Sequence, residues 1–351
     1  MRFCANLVNL RLHSGIGHGN TRADQRVYAA FDNVTFSSEY LPTVTLPTSR
    51  RVAVAVLVLL GLGVLAGPGP LTGATPVPRP SLAVTERAVV PAARYWTRAR
   101  MAAASRASGV SAMSGVPWAG GGAVARTTGR VFFTLGNVQY ACSGSAVASQ
   151  NQDVVMTAAH CVSDGAGHWA THWTFVPGYT DGREPYGSYP AQTYYVPAQW
   201  SAGADEDDDV AFVVVGTALA STALASTALA STGHGQKVGV AVGGQPIEFG
   251  WRAPAAAVFG YPSEPPYTGQ GLDYCAGTLQ PDPFGTGDEG IACAMTEGGS
   301  GGPWLSDFDP RTGLGVITGV TTFRYFGQDR ILYSADLGPV AQALYERAAA
   351  L

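Results

Sequence analysis

The clearest alternation of apolar and polar positions begins near Val131. Val131-Phe132-Phe133-Thr134-Leu135 and Val138-Gln139-Tyr140-Ala141-Cys142 flank the pair Gly136-Asn137. Two β-prone runs around a two-residue turn of this type predict a hairpin. Asp153-Val154-Val155-Met156-Thr157 reads as the next strand, and Ala211 to Val215, Ala256 to Gly260 and Val316 to Phe323 are further β-rich runs. Short strands separated by turn signals predict an all-β domain built of antiparallel barrels or sandwiches. The period changes at the C-terminus. Asp336 is placed to cap a helix with Pro339 in its first turn, and Leu337, Val340, Leu344 and Ala348 fall on one face, which predicts a terminal helix over about 336–350.

Upstream of Val131 the pattern is different. Arg50-Arg51 precede sixteen apolar or small residues, Val52 to Gly67, and Pro68-Gly69-Pro70 end the run. A basic flank, a short apolar core and a small-residue site at Val64-Leu65-Ala66 fit a secretory signal. The run is short for a membrane span, which needs about 20 residues, so an anchor with the domain outside is the alternative. Because this signal begins fifty residues in, translation is expected to start near Val44. Residues 1–49 are then an unassigned extension, a gene-model artefact. Residues 68–128, rich in Pro, Ala, Gly and Ser, read as a disordered linker or pro-segment, with a weak helix within Val84 to Ala104. Thr-Ala-Leu-Ala-Ser occurs three times between Thr217 and Ser231. A five-residue period keeps no single helical face, so the repeat reads as a surface insertion without chemistry.

Composition narrows the functional classes. Only 13% of the residues are charged, against about 25% in ordinary domains, and the single lysine is Lys237. A net charge of −4 offers no footprint for nucleic acid. Cys142 with Cys161, and Cys275 with Cys293, each enclose a short loop between strand-like runs and are predicted disulfides. Each would stabilise by roughly 3 kcal/mol in the chain-entropy account, and both require a compartment outside the cytoplasm. Cys4 lies upstream of the export signal.

The chemistry concentrates in three places. Thr296-Glu297-Gly298-Gly299-Ser300-Gly301-Gly302-Pro303-Trp304 holds a serine among glycines; Thr157-Ala158-Ala159-His160-Cys161 lies 140 residues earlier; Asp209-Val210-Ala211-Phe212 lies between. A serine hydroxyl becomes a nucleophile when a base stands within hydrogen-bond reach and a third group orients that base. This assigns Ser300 as nucleophile, His160 as general base and then acid, and Asp209 as the carboxylate that fixes the imidazole tautomer. The glycines allow a tight turn whose N–H groups, those of Gly298 and Ser300, face a developing oxyanion. Asp209 ends the acidic run Asp205 to Asp209. Such runs are commonly solvated loops, and Asp208 is the alternative. The run lacks the spaced oxygen ligands of a calcium loop. His168 and His172, four apart, lack a metal-binding signature and read as structural, and His234 between two glycines reads as a turn residue.

Thr157 to Cys161 resembles the histidine box of the chymotrypsin-like (trypsin-like) serine peptidases, and Gly299 to Pro303 resembles their serine box. Asp209 before its apolar strand and Cys142-Ser143-Gly144-Ser145 resemble two further family features. The longer run Cys293 to Trp304 is similar to bacterial secreted members, including the V8-like branch. The matches extend from about Val131 to Tyr333. The resemblance implies two packed six-stranded antiparallel barrels, the first over about 129–240 and the second over about 241–335, with the site in the cleft between them and the terminal helix docked on the second barrel. It implies an endopeptidase that acts on protein or peptide substrates as a secreted monomer without cofactor or metal, and that meets a membrane only through its export signal or the alternative anchor. Three departures bear on specificity and activation. Gly299 stands where many animal members carry the Asp that receives a new N-terminus. Ala294 stands where trypsins carry the Asp that selects Arg and Lys. No histidine follows Ser300, whereas glutamate-specific relatives use one there. Ala294 and Met295 therefore suggest an uncharged pocket floor, with Thr321 to Phe323 on its wall.

Two other readings share these residues. Gly298 to Gly302 also satisfies the nucleophile elbow of α/β-hydrolases, but that fold places its histidine after the serine and all six histidines here precede Ser300. A non-catalytic peptidase-like binding module, or an esterase on the same triad, remain the alternatives on the resembling fold.

Overall fold

The structure, a computed structural model, describes residues 2–3, 84–89, 95–104, 115–219, 235–251 and 253–351. The expected export segment, Cys4, His13, His18, His234 and most of the five-residue repeat lie outside the described residues.

The expected hairpin forms as β1 (Thr128–Leu135) and β2 (Val138–Ala146), with Leu135 opposite Val138 across Gly136-Asn137. β3 (Val154–Thr157), β4 (Thr171–Pro177), β5 (Tyr189–Pro197) and β6 (Ala211–Val215) complete the first sheet. Its order is β5-β4-β1-β2-β3-β6, and β6 pairs back onto β5, so six antiparallel strands close a barrel. The second sheet repeats this topology with β7 (Ala255–Gly260), β8 (Asp273–Pro281), β9 (Glu289–Ala292), β10 (Pro303–Asp309), β11 (Leu314–Tyr325) and β12 (Ile331–Ser334). Its order is β11-β10-β7-β8-β9-β12, closed by β11 against β12. The fold is all-β, two closed six-stranded barrels with a C-terminal helix.

Strand alternation distributes the apolar residues between distinct cores. Along β6, Ala211, Val213 and Val215 point into the first barrel, while Phe212 and Val214 join a separate cluster with Phe259, Leu305 and Ile317 of the second barrel. Along β1, Val131 and Phe133 face the barrel interior, and Phe132 faces outward into a cluster with Val176, Tyr179 and Tyr261. That outward face is sealed by Trp96 and Met101, 6% and 1% exposed.

Trp96 and Met101 come from the stretch that composition assigns to a linker or pro-segment. Among the described residues of Val84 to Ala104, the helix is Arg98–Ala103, with Thr97 capping Arg100 N–H. Val84–Ala88 is instead a strand on β5, Val84 opposite Pro197 and Ala88 opposite Thr193. The β-branched Val84-Thr85 pair suits an open sheet edge better than a helix interior.

The terminal helix spans Pro339–Ala349 and begins at Gly338 rather than Asp336. Its buried face is Ala341, Leu344 and Ala348, following Leu337, with Val340 only half-buried. It does not dock on the second barrel as the resemblance implies. It lies against β5 and β6 of the first. Tyr345 sets its ring 5.7 Å from that of Phe212 and donates to Ala148 O at 2.6 Å, and Asn151 Nδ2 donates to Ala348 O at 2.8 Å. An aromatic edge contact and two specific hydrogen bonds, all with first-barrel residues, fix that choice.

Candidate active site

Strand pairing brings His160 to Asp209. Thr157 and Ala211 are opposite one another at one end of the β3–β6 ladder. Three residues past Thr157 and two residues before Ala211 therefore emerge together. The chain after β3 turns at once into a short 3-10 helix, Ala159–Cys161. The chain before β6 arrives through another, Glu206–Asp208, capped by the Asp205 side chain. Asp209 Oδ1 accepts the His160 backbone N–H at 2.8 Å, and Oδ2 stands 2.7 Å from His160 Nδ1. Both residues are buried, His160 2% exposed and Asp209 0%. Asp208 is half-buried beside them. Burial, with the charges of Asp205 and Asp207, pushes its carboxyl up to about 6.

The histidine turn is braced from behind. Cys161 is joined to Cys142 of β2 in a disulfide, Trp173 Nε1 donates to Cys161 O at 3.1 Å, and the Trp200 ring lies 6.5 Å from the imidazole. Burial pulls the His160 pKa down. The Asp209 charge and hydrogen bond, helped by Glu297 and Glu206, outweigh it and leave the pKa raised above 6.5. The buried Nε2 on the other side of the ring has no hydrogen-bond partner, so no hydrogen bond joins it to Ser300 Oγ. Catalytic hydrogen bonds of this kind are commonly long in unliganded enzymes and close on substrate binding.

Ser300 sits in a tight turn in which Gly299 N–H reaches Thr296 O and Gly302 N–H reaches Gly299 O. The turn is fastened to both barrels. Ser143 N–H of β2 donates to Ser300 O at 2.7 Å, and Gly301 N–H donates to Thr321 O of β11 at 2.7 Å. Cys161 Sγ approaches Ser300 O to 3.9 Å. Gly301 has φ +82°, and a Cβ there would come within 2.2 Å of Thr157 Oγ1 and Ser143 O, so only glycine lets this backbone lie against the segment that leads to His160. Ser300 is 6% exposed. It lines a cleft of about 50 Å³ with Thr296, Glu297, Thr321, Thr322, Phe323 and Arg324 among the other walls.

Beside Ser300 the backbone is oriented by Ser263. Glu297 O accepts from Ser263 N–H at 2.7 Å and from Ser263 Oγ at 3.2 Å. Because a trans peptide points its N–H opposite its C=O, Gly298 N–H is turned away from Ser263. Neither Gly298 N–H nor Ser300 N–H has a protein acceptor among the described residues. Gly298, at φ +91°, is also held through its carbonyl, which accepts from Ser143 Oγ at 2.7 Å, and the same Oγ accepts Tyr261 N–H at 2.8 Å. Ser143 was legible in the sequence only as the residue after Cys142, and its role follows from the fold. Thr321, Thr322 and Phe323 line the cleft, and Arg324, absent from the sequence expectations, adds a cation beside them.

The remaining sequence candidates fall where local contacts place them. Cys275 and Cys293 form the second disulfide, between β8 and the end of β9. His168 pairs with Asp164 on the surface, and His172 stacks on Tyr95 with ring centroids 3.7 Å apart. Among the described residues, the one grouping compact enough to suggest a metal is Cys142, His160 and Cys161. Its two sulfurs are bonded to each other, which leaves one imidazole.

Two closed barrels, with a glycine-held serine turn fastened between them beside a carboxylate-held histidine, define the double-barrel serine peptidase class. The family model described as Trypsin matches residues 119–335, and the chain belongs to that family. Among solved structures, it is similar to protease Anisep from Arthrobacter nicotinovorans, at 34% identity over 64% of this chain and 96% of that one, with a TM-score of 0.57. It is similar to the thermostable serine protease AL20 from an extremophilic microorganism, at 32% identity over 65% and 99%, also with a TM-score of 0.57. A Glu endopeptidase shares the fold at 19% identity over 69% and 99%, with a TM-score of 0.52. No curated protein matches the chain.

Proposed function

We propose that this chain is a secreted serine endopeptidase that works through Ser300, His160 and Asp209. The observation that carries the reading is the double grip of Asp209 on His160, at 2.7 and 2.8 Å, which leaves a buried Nε2 without a partner. Asp209 holds the Nδ1–H tautomer, so the lone pair is on Nε2, where a base is needed.

On substrate binding, Ser300 Oγ attacks the scissile carbonyl carbon as His160 Nε2 takes its proton. The carbonyl oxygen becomes an oxyanion, and the N–H groups of Gly298 and Ser300 receive it. His160 then gives the proton to the leaving amine nitrogen, the C–N bond breaks, and an acyl ester remains on Ser300. Water, losing a proton to Nε2, attacks that ester; the acid product leaves and Oγ recovers the proton. Losing one oxyanion donor in such a site raises the barrier by roughly 3 kcal/mol.

The export reading is supported by Arg50-Arg51 with the apolar run behind them, and by two disulfides, which persist in oxidising compartments. Among the described residues no helix is long and apolar enough to cross a membrane.

A labelled fluorophosphonate tests the assignment. The expected result is phosphonylation of Ser300, with peptide hydrolysis abolished in Ser300→Ala. Hydrolysis retained by that variant, or a label on another residue, overturns it. N-terminal sequencing of protein from the medium tests export, with a mature start after residue 66 expected.

A further inference from the structure

The wall of the cleft beside Ser300 carries a guanidinium that is bonded to no carboxylate among the described residues. Arg324, at the end of β11, lines the cleft together with Ser300, Thr296, Thr322 and Phe323. Its Nη2 donates to Met295 O, and its Nη1 donates to Asp329 O at 3.0 Å. These are backbone carbonyls, which fix the planar fork without cancelling its charge. A guanidinium has five N–H donors, so three are left without a protein acceptor among the described residues. Glu264, Glu297 and Asp329 act on Arg324 only at range, and no carboxylate among the described residues lies within ion-pair distance of it. The one acid on the cleft lining, half-buried Glu297, is therefore not its partner.

A cation that is largely withdrawn from water and offset only at range, here by Asp329, Glu264 and Glu297, is costly, and the cost is relieved when an anion bonds it directly. Burial accordingly pushes the Arg324 pKa below its ordinary value. Of the two charges on the cleft lining, Arg324 attracts an incoming anion and Glu297 repels it, so an anion is held where it reaches the open N–H groups of Arg324. Ala294 supplies no carboxylate to receive a basic side chain, and it and Met295 are fully buried. The positive charge here comes from Arg324 on the cleft lining, which is why the residues before Ser300 give no sign of it.

We propose that Arg324 makes this peptidase selective for an acidic side chain, glutamate or aspartate, on the acyl side of the bond it cleaves. The inference rests on the peptidase reading above. A planar, fixed guanidinium with free N–H groups matches a carboxylate in charge and in fork geometry. The isosteric glutamine would keep the shape and lose the charge.

The test is kcat/KM on two peptides that differ only in Glu or Gln at that position, with a Lys peptide as a third. The wild type is expected to prefer Glu over Gln by at least about tenfold, as a charge-assisted contact in a semi-buried site requires, and to leave the Lys peptide uncut. In Arg324→Gln the Glu:Gln ratio is expected to fall to about one. Arg324→Lys, which keeps a point charge, is expected to retain part of the preference. Fluorophosphonate labelling and a cooperative thermal melt verify that each variant is folded, and the wild-type ratio decides even if one is not. Labelled wild-type enzyme that cuts Gln as well as Glu, or a folded Arg324→Gln that keeps the ratio, overturns this inference alone. A wild type that takes no label at Ser300 overturns the peptidase reading first, and this inference with it.

Discussion

Asp209 holds His160 by two bonds at once, one to the backbone N–H and one to Nδ1. The backbone bond fixes where the turn sits; the ring bond fixes which nitrogen carries the proton. Asp209→Asn separates these roles. The amide oxygen can still accept one N–H, but its NH₂ cannot accept from Nδ1, and the imidazole is left in the wrong tautomer. We expect kcat to fall by about 10⁴ with little change in the thermal midpoint. Steady-state kinetics and a thermal melt on one preparation read both quantities. A variant within tenfold of wild-type kcat would remove Asp209 from the mechanism.

In the proposed mechanism the raised pKa of His160 sets the acid limb of activity. The base must be neutral, so kcat/KM should decline as pH falls through a midpoint above 6.5. Stability runs the other way. A histidine whose folded pKa is raised contributes stability that is fully present below its unfolded value and is lost as pH rises through the folded one. Activity is thus gained over the same pH window in which this stabilisation is lost. Because Glu206 contributes to the upward shift, Glu206→Gln should move the acid limb toward lower pH. A limb centred below 6.5 in the wild type would contradict the electrostatic picture.

The two clearest features of the fold in the sequence were those set by local pattern. Gly136-Asn137 between β-prone runs marked the first hairpin, and β6 was marked by an uninterrupted apolar run after Asp209. β5 and β8 were not, because Pro190, Pro197 and Pro281 and the aromatic-polar mixture obscure their period, and long-range pairing decides them. The catalytic candidates were legible because a reactive serine needs glycines around it and a cysteine marks the histidine turn. Arg324 and Ser143 were not, since an arginine on a strand and a serine after a cysteine are unremarkable until the fold sets them beside Ser300. The docking of the terminal helix was misjudged for a similar reason. Leu344 and Ala348 specify an apolar face but not which barrel receives it; Tyr345 and Asn151 do.

The two disulfides should be separable by function. Each closes a loop, of sequence separation 19 for Cys142–Cys161 and 18 for Cys275–Cys293, so removing either should cost roughly 3 kcal/mol of stability. Only the first immobilises the turn that carries His160. Changing both Cys142 and Cys161 to Ser should therefore lower kcat as well as the melting midpoint, and the Cys275→Ser, Cys293→Ser pair should mainly lower the midpoint. Equal losses of kcat at temperatures where both variants are folded would show that the first disulfide has no special hold on the site.

Ser143 is the position where a small change should reach furthest. Its Oγ is completely buried and joins two second-barrel segments to a first-barrel strand, by donating to Gly298 O and accepting from Tyr261 N–H. Its backbone N–H holds Ser300 O. Ser143→Ala keeps the backbone bond and deletes both side-chain bonds, leaving a buried carbonyl and a buried N–H unsatisfied. The stability cost should be about 1–3 kcal/mol. The catalytic cost follows from geometry. Gly298 N–H is aimed by two restraints, Ser263 on the carbonyl before it and Ser143 on the carbonyl after it, and a donor that is no longer fixed loses much of its value to a developing oxyanion. We expect kcat to fall about tenfold with KM nearly unchanged, since the donor matters most in the transition state. Ser143→Thr, which retains a hydroxyl, is the control for that bond. A fall confined to KM would place the role of Ser143 in substrate binding, and an unaltered kcat in a folded Ser143→Ala would show that Ser263 alone suffices to aim the Gly298 amide.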